Sequence, residues 1–250
     1  MSTQILVVQP DDNVPAGALG EWLEEAGAEL DVRLAGTDEV PATVDGYDAV
    51  VCLGGGMNAF ADEAYPWLST VRRLLSTAVG GGVATLGVCL GGQLLAAATG
   101  GVVRAGAHGP EAGPKLVSKK DAAWTDPLFA ELPLMPDVLE FHRDAIEMLP
   151  GEATLLASTP LYPHQAFRIG RRAYGLQFHI ETTPDIVDTW VARSPDVAGV
   201  AKPGAFDAET LDRVHADIDE TWRPFAHRFV ALAAGTVRPA DDPRRGLPLA

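Results

Sequence analysis

The sequence predicts an α/β protein: a doubly wound, mostly parallel sheet with an antiparallel extension and C-terminal helices. Three observations predict it. Apolar β-branched runs alternate with helical stripes through the first hundred residues, the signature of parallel strands joined by covering helices. After residue 101 the texture changes to short strand candidates separated by Pro, Gly and Asp turns. Near the end, Leu211, Val214, Ile218, Trp222, Phe225, Phe229 and Leu232 follow at steps of three or four, one apolar stripe on a long helix.

Gln4–Gln9 is a continuous apolar run, which suits a strand buried on both faces. Ala16–Glu29 carries Leu19, Trp22, Leu23 and Ala26 at helical spacing, and Val32–Leu34 reads as a weaker strand. Asp48–Leu53 is another buried strand, stopped by the glycines at 54–56. Trp67–Val79 is a helix whose Leu68, Val71, Leu74, Leu75 and Ala78 share a face. Gly82–Val88 is a strand, and Gln93–Thr99 a helix ended by Gly100 and Gly101. The later strand candidates are Val102–Ala105, Lys115–Ser118, Val138–Phe141, Thr154–Ala157, Ala166–Ile169 and Ala173–Ile180. The final helix is expected to pack on the main domain and to bend near Pro224. The expected organisation is a domain over 1–192, a helical extension over 193–235 and a loose, proline-rich tail over 236–250.

Composition narrows the function classes. Of 250 residues, 19 are Lys or Arg and 34 Asp or Glu, a net charge of −15 that repels phosphate backbones and anionic lipid. Two cysteines, Cys52 and Cys89, exclude a disulfide framework and a Cys-rich zinc module. No apolar stretch approaches the roughly 18–20 residues of a membrane span. The run Ile5–Val8 is too short for a signal-peptide core. The expectation is a soluble, cytoplasmic protein without nucleic-acid or membrane partners.

Three segments carry chemistry. In Leu86-Gly87-Val88-Cys89-Leu90-Gly91-Gly92-Gln93, a buried strand runs into glycine, cysteine and glycine before a helix begins. That is the sharp strand-to-helix turn that exposes a nucleophile, with cysteine in the serine's place. Cys89 would sit at a helix N-terminus, where the dipole favours thiolate, and the Leu90 N–H would point into the same space. Taken alone, Cys89 reads equally as a small apolar residue ending a core strand. In Tyr174-Gly175-Leu176-Gln177-Phe178-His179-Ile180-Glu181, His179 and Glu181 stand two apart, so on a strand they project together and the carboxylate can take the second imidazole N–H. An isolated H-x-E reads better as a structural histidine beside a surface glutamate; a cysteine elbow upstream reverses that reading. In Leu53-Gly54-Gly55-Gly56-Met57-Asn58, consecutive glycines permit positive φ and close approach of a ligand to backbone amides. This segment by itself also fits a tight turn, and it is no P-loop because no Gly-Lys-Ser/Thr follows. His108, His164, His215 and His227 fit no metal-ligand spacing, and Cys52 lies inside an apolar strand as core.

GVCLGGQ followed by GLQFHIE, with a GGGM loop upstream, resembles the class I (triad) glutamine amidotransferases over roughly residues 45–183, and among them the stand-alone proteins similar to the glutaminase half of GMP synthase. The resemblance implies a flavodoxin-like doubly wound sheet. It implies Cys89 as nucleophile, His179 as general acid/base and Glu181 as the orienting third member. Gly55 and Leu90 match the backbone donors of an oxyanion hole, Gln93 and Met57 match substrate contacts, and Phe141-His142-Arg143-Asp144 matches a segment that often reads W-H-G-D and helps recognise the amino-acid end of glutamine. The implied substrate is glutamine or another γ-glutamyl small molecule, turned over without metal or organic cofactor. In the family, ammonia passes to a synthetase domain or subunit, so a separate synthetase chain is a candidate partner.

Three departures bear on the substrate: Gly92 where histidine is frequent, Ile180 where proline is usual, and Arg143 in place of glycine. Three alternatives stay open beside a glutaminase serving a partner. One is a free-standing hydrolase of γ-glutamyl amides or peptides. Another is a binding protein that retained the fold. The last is a related cysteine-elbow hydrolase with an acidic residue near the first strand, for which Asp11 and Asp12 are available.

Overall fold

The computed structural model describes residues 2–241. In chain order the elements are β1 (Thr3–Gln9), α1 (Gly17–Glu25), β2 (Ala28–Leu34), β3 (Ala49–Cys52), α2 (Trp67–Gly80), β4 (Ala84–Val88), α3 (Leu90–Ala98), β5 (Val102–Ala105), β6 (Glu111–Leu116), β7 (Ser118–Lys119), β8 (Asp137–His142), β9 (Asp144–Met148), β10 (Ala153–Ser158), β11 (Ala166–Ile169), β12 (Ala173–Leu176), α4 (Pro184–Arg193), α5 (Pro195–Ala198) and α6 (Ala208–Ala233). One large sheet runs β2-β1-β3-β4-β12-β11-β10-β7. Its first five strands are parallel and its last three antiparallel. Two ribbons, β5–β9 and β6–β8, stand outside it.

The central parallel strands β1, β3 and β4 carry apolar buried stretches, Ile5–Val8, Ala49–Cys52 and Leu86–Val88, because both faces are covered. Ile5 and Val7 enter one core with α1 and α6, while Leu6 and Val8 enter the other with α2 and α3. The stripe on α6 is buried throughout, from Leu211 to Leu232. Trp222 packs against Phe129, Phe178 and Phe225 and donates its indole N–H to the Asp137 carbonyl. Each such side chain contributes about 1.5–3 kcal/mol by leaving water. This helix therefore shares the core of the sheet, and Pro224 stands inside it without interrupting it.

Several boundaries differ from the sequence reading. The weak strand at 32–34 is a full strand from Ala28, because its pairing with β1 runs through seven residues and overrides its polar composition. Helix α3 starts at Leu90, immediately after the cysteine. The strands Glu111–Leu116 and Asp144–Met148 are longer than, or absent from, the expected set, since both lie in polar ribbons without an apolar run. Strand β12 stops at Leu176, four residues before the expected end. The tail expected over 236–250 falls largely on residues 242–250, which lie outside the described residues. Among the described residues, no helix is long and apolar enough to cross a membrane.

Candidate active site

Cys89 stands between β4 and α3 with φ 50° and ψ −108°, the single non-glycine positive φ among the described residues. Such a conformation costs about 1–3 kcal/mol and persists only where its surroundings fix it. Here the Cys89 N–H donates to the Leu176 carbonyl at 2.8 Å, and the Cys89 carbonyl accepts from the Gln93 N–H at 2.9 Å. The turn also needs small neighbours. A Cβ on Gly91 would lie 1.9 Å from the Cys52 carbonyl oxygen, and one on Gly92 would lie 2.6 Å from that of Leu176. The strain lifts the sulfur into a cavity of about 280 Å³ that Gly55, Met57, Gln93, His142, Arg143 and His179 also line. Cys52 contrasts with it: that side chain is sealed in the core, and burial pushes its thiol up to about 12.

His179 and Glu181 meet, though not as strand neighbours. The chain leaves β12 after Leu176, and His179 makes a single antiparallel bridge to Leu139 of β8, exchanging backbone bonds of 2.8 and 3.2 Å. The His179 Nδ1 lies 2.6 Å from Glu181 Oε1, and Glu181 Oε2 accepts from the Ile180 N–H at 3.0 Å. Helix α1 begins against this segment: the Ala18 N–H donates to the Glu181 carbonyl at 2.9 Å, and Gly17 (φ 47°) leaves room for that oxygen. Burial alone would lower the His179 pKa; the Glu181 charge and the Cys89 sulfur outweigh it and raise it well above the ordinary histidine value. An imidazole oriented in this way, with a sulfur on its other side, can move a proton between that sulfur and a bound ligand.

The glycine loop works differently from the expectation. None of Gly54, Gly55 and Gly56 has positive φ. Close approach explains them instead: a Cβ on Gly54 would lie 3.1 Å from His179 Cε1, and one on Gly55 3.0 Å from Leu90 Cδ2. Among the described residues, no hydrogen bond uses the N–H of Gly55 or of Leu90. The Leu90 N–H is one of the donors a helix start leaves free. Asp11 braces the loop, accepting from the Asn13 N–H at 3.0 Å and the Gly56 N–H at 3.4 Å. Its carboxylate also accepts from the Asn13 side-chain amide at 2.8 Å.

The remaining expected residues are held in place by neighbours. The Gln93 amide donates to the Asp144 carbonyl at 2.9 Å. Arg143 reaches Asp196 through two 2.8 Å contacts, so its charge is matched at the cavity mouth. His142 places Nδ1 2.9 Å from the Asp144 carbonyl and turns Nε2 away toward Glu111 and Glu140. Burial would lower its pKa, but those two carboxylates hold it up to about 10.

Sequence reasoning missed Gln177 and Trp190. The Gln177 amide lies 4.0 Å from the Cys89 sulfur and also meets Gln93. Its signal was available, since it stands two residues before His179 as Glu181 stands two after. Trp190 on α4 lays its ring 4.5 Å from that of His179 and donates to the Asn13 carbonyl at 2.8 Å. No local pattern in the sequence marks it.

Residues 18–193 match the family model described as glutamine amidotransferase class-I. One subunit of the glutamine-hydrolysing GMP synthase of Thermoplasma acidophilum is 33% identical over 164 residues, 64% of this chain and 76% of that protein. Gamma-glutamyl peptidase 5 of Arabidopsis thaliana is 28% identical over 190 residues, 75% of this chain and 74% of that one. Full-length GMP synthases are matched over about a quarter of their length. A crystal structure of a glutamine amidotransferase from Thermotoga maritima superposes with a TM-score of 0.81 at 27% identity, covering 92% of this chain and 99% of that one.

Proposed function

The chain belongs to the class I glutamine amidotransferase family, and on that footing we propose that it hydrolyses the side-chain amide of glutamine or a related γ-glutamyl compound through a thioester on Cys89. The observation that carries the reading is one cavity holding a sulfur on a strained turn beside an imidazole with a carboxylate 2.6 Å behind it.

In this reading the Cys89 sulfur attacks the γ-carbonyl carbon and the carbonyl electron pair moves onto oxygen. The free N–H groups of Gly55 and Leu90 receive that oxyanion; one such donor typically contributes about 10²–10³ in rate. His179 gives its proton to the departing nitrogen, which leaves as ammonia or amine. Water, deprotonated by the same imidazole, then cleaves the thioester and releases glutamate. Glu181 fixes the ring and balances its charge. Gln93 and His142 shape the cavity wall through the Asp144 carbonyl, with Met57 and Arg143 near its mouth. A reducing compartment such as the cytoplasm suits an enzyme that depends on a free thiol.

A second reading, a free-standing γ-glutamyl peptide or amide hydrolase, is favoured by one feature. Arg193 lines the cavity, is exposed and makes no hydrogen bond or ion pair among the described residues, which leaves a guanidinium for an anionic group beyond the scissile bond. The alternative destination for ammonia is a separate synthetase chain. Purified protein assayed against glutamine and a panel of γ-glutamyl dipeptides separates them. Steady dipeptide turnover that falls on Arg193→Ala supports the free-standing hydrolase. Glutamine turnover stimulated by a synthetase chain supports the glutaminase. Inertness toward every γ-glutamyl compound contradicts both.

A further inference from the structure

Where the β6–β8 ribbon borders the cavity, it gathers a second set of groups that form and break no bond in the hydrolysis. Glu111 on β6 is the cross-strand partner of His142 on β8, and Glu140 stands two residues before His142 on the same face. All three are buried, with Glu140 fully enclosed. The His142 Nε2 lies 3.3 Å from Glu111 Oε2 and 3.3 Å from Glu140 Oε2. Neither contact has the alignment of a hydrogen bond, and among the described residues both Glu140 oxygens and His142 Nε2 are without a hydrogen-bonding partner.

The other ring nitrogen fixes the tautomer. His142 Nδ1 faces the Asp144 carbonyl at 2.9 Å, and a carbonyl only accepts, so Nδ1 carries the hydrogen. With no proton on Nε2, the ring directs that nitrogen's lone pair at two carboxylates. Three electron-rich atoms converging in a dry place require a cation among them. A proton on Nε2 can align with one oxygen at a time, and the Gln165 amide reaches Glu111 alone, so at least one Glu140 oxygen is left unanswered. A metal ion answers all three. Two donors bound to one tetrahedral centre at zinc–nitrogen and zinc–oxygen lengths of about 2.0–2.1 Å stand about 3.3–3.4 Å apart, which is the spacing found. The three donor atoms lie within 4.8 Å of one another. Outer contacts of the kind that orient metal ligands are also in place: the Asp144 carbonyl on the far side of His142, and the Gln165 amide donating to Glu111 Oε2 at 2.9 Å.

We propose that Glu111, Glu140 and His142 bind a divalent cation of the zinc type, which pins the β6–β8 ribbon and, through the Asp144 carbonyl, the cavity wall. The ion is structural; its ligands are separate from the sulfur and from His179. The sequence hides the site because its ligands come from two strands with no motif spacing.

The test uses the full chain carrying Cys89→Ser, so that no thiolate beside His179 competes for metal. The protein is stripped with chelator, loaded with Zn²⁺ and freed of excess, and its metal content is measured by atomic emission. The expected result is one zinc per chain, a higher melting temperature with zinc than without, and affinity lowered at least about 100-fold by Glu111→Gln or Glu140→Gln. Loading the wild-type chain with Co²⁺ gives a readout that needs no variant to fold: the visible bands of a tetrahedral site with nitrogen and oxygen ligands are expected, with no thiolate charge-transfer band. Zinc absent after loading, zinc held equally well by the Glu111 and Glu140 variants, or zinc held by wild type and lost with Cys89 would each overturn the proposal. None of these readouts involves glutamine, so the outcome is independent of the reaction proposed above.

Discussion

His179 and His142 are both buried, and both have Nδ1 engaged, yet their surroundings give them different chemistry. His179 has a carboxylate 2.6 Å behind the ring and a sulfur before it, inside a cavity. His142 has a neutral carbonyl behind the ring and two carboxylates before it, each at 3.3 Å. A carboxylate at the short distance shares a proton with the ring and prepares it for transfer. Two carboxylates at the longer distance attract a cation and hold it. The group facing the second nitrogen decides whether a buried histidine moves a proton or stays fixed.

Four variants and one pH series press on this contrast. Cys89→Ser has the largest expected effect: glutamine hydrolysis falls about 10⁴-fold or more in steady-state assays, while far-UV circular dichroism is unchanged. Glu181→Gln comes next, lowering kcat by about 10²–10⁴ with KM little altered, because the ring loses its orientation and charge balance but the cavity keeps its shape. If Glu181→Gln leaves kcat intact, the two histidines do not differ in the way described.

Gly54→Ala sharpens the geometry. Its Cβ would stand 3.1 Å from His179 Cε1, so the ring must shift by a few tenths of an ångström. We expect kcat to fall about 10- to 100-fold with the melting temperature nearly unchanged. The pH series compares melting temperatures of wild type and Glu181→Gln. The folded-state pKa of His179 is raised, so its contribution is complete below the unfolded value near 6.5 and is lost as pH rises through the elevated value. The gap between the two proteins should be widest near pH 6 and narrow toward alkaline pH. Trp190→Phe has the smallest effect, about 1 kcal/mol in urea unfolding, from the lost bond to the Asn13 carbonyl.

Much of this was legible from residue patterns. The parallel half of the sheet declared itself because strands covered on both faces are apolar without interruption, as in Ile5–Val8 and Val50–Leu53. The elbow at Cys89 was legible because only glycine fits where Gly91 and Gly92 touch carbonyl oxygens. The pairing of β6 with β8 was not, since Glu111 and Glu140 look like surface residues until it buries them beside His142. The pairing of His179 with Glu181 was expected for a reason that proved incomplete. The strand ends at Leu176, and a long-range bridge to Leu139 positions the histidine. Alternation along a strand gave the right neighbours, and a contact with a residue remote in sequence gave their placement.

The most direct measurement is stoichiometric labelling with a glutamine-analogue electrophile, read by peptide mass spectrometry with and without glutamine. One adduct per chain is expected, on Cys89, suppressed by glutamine and strongly slowed in Glu181→Gln, with Cys52 untouched in the core. Labelling of Cys52, or of Cys89 at a rate indifferent to both glutamine and Glu181, would contradict Cys89 as the nucleophile.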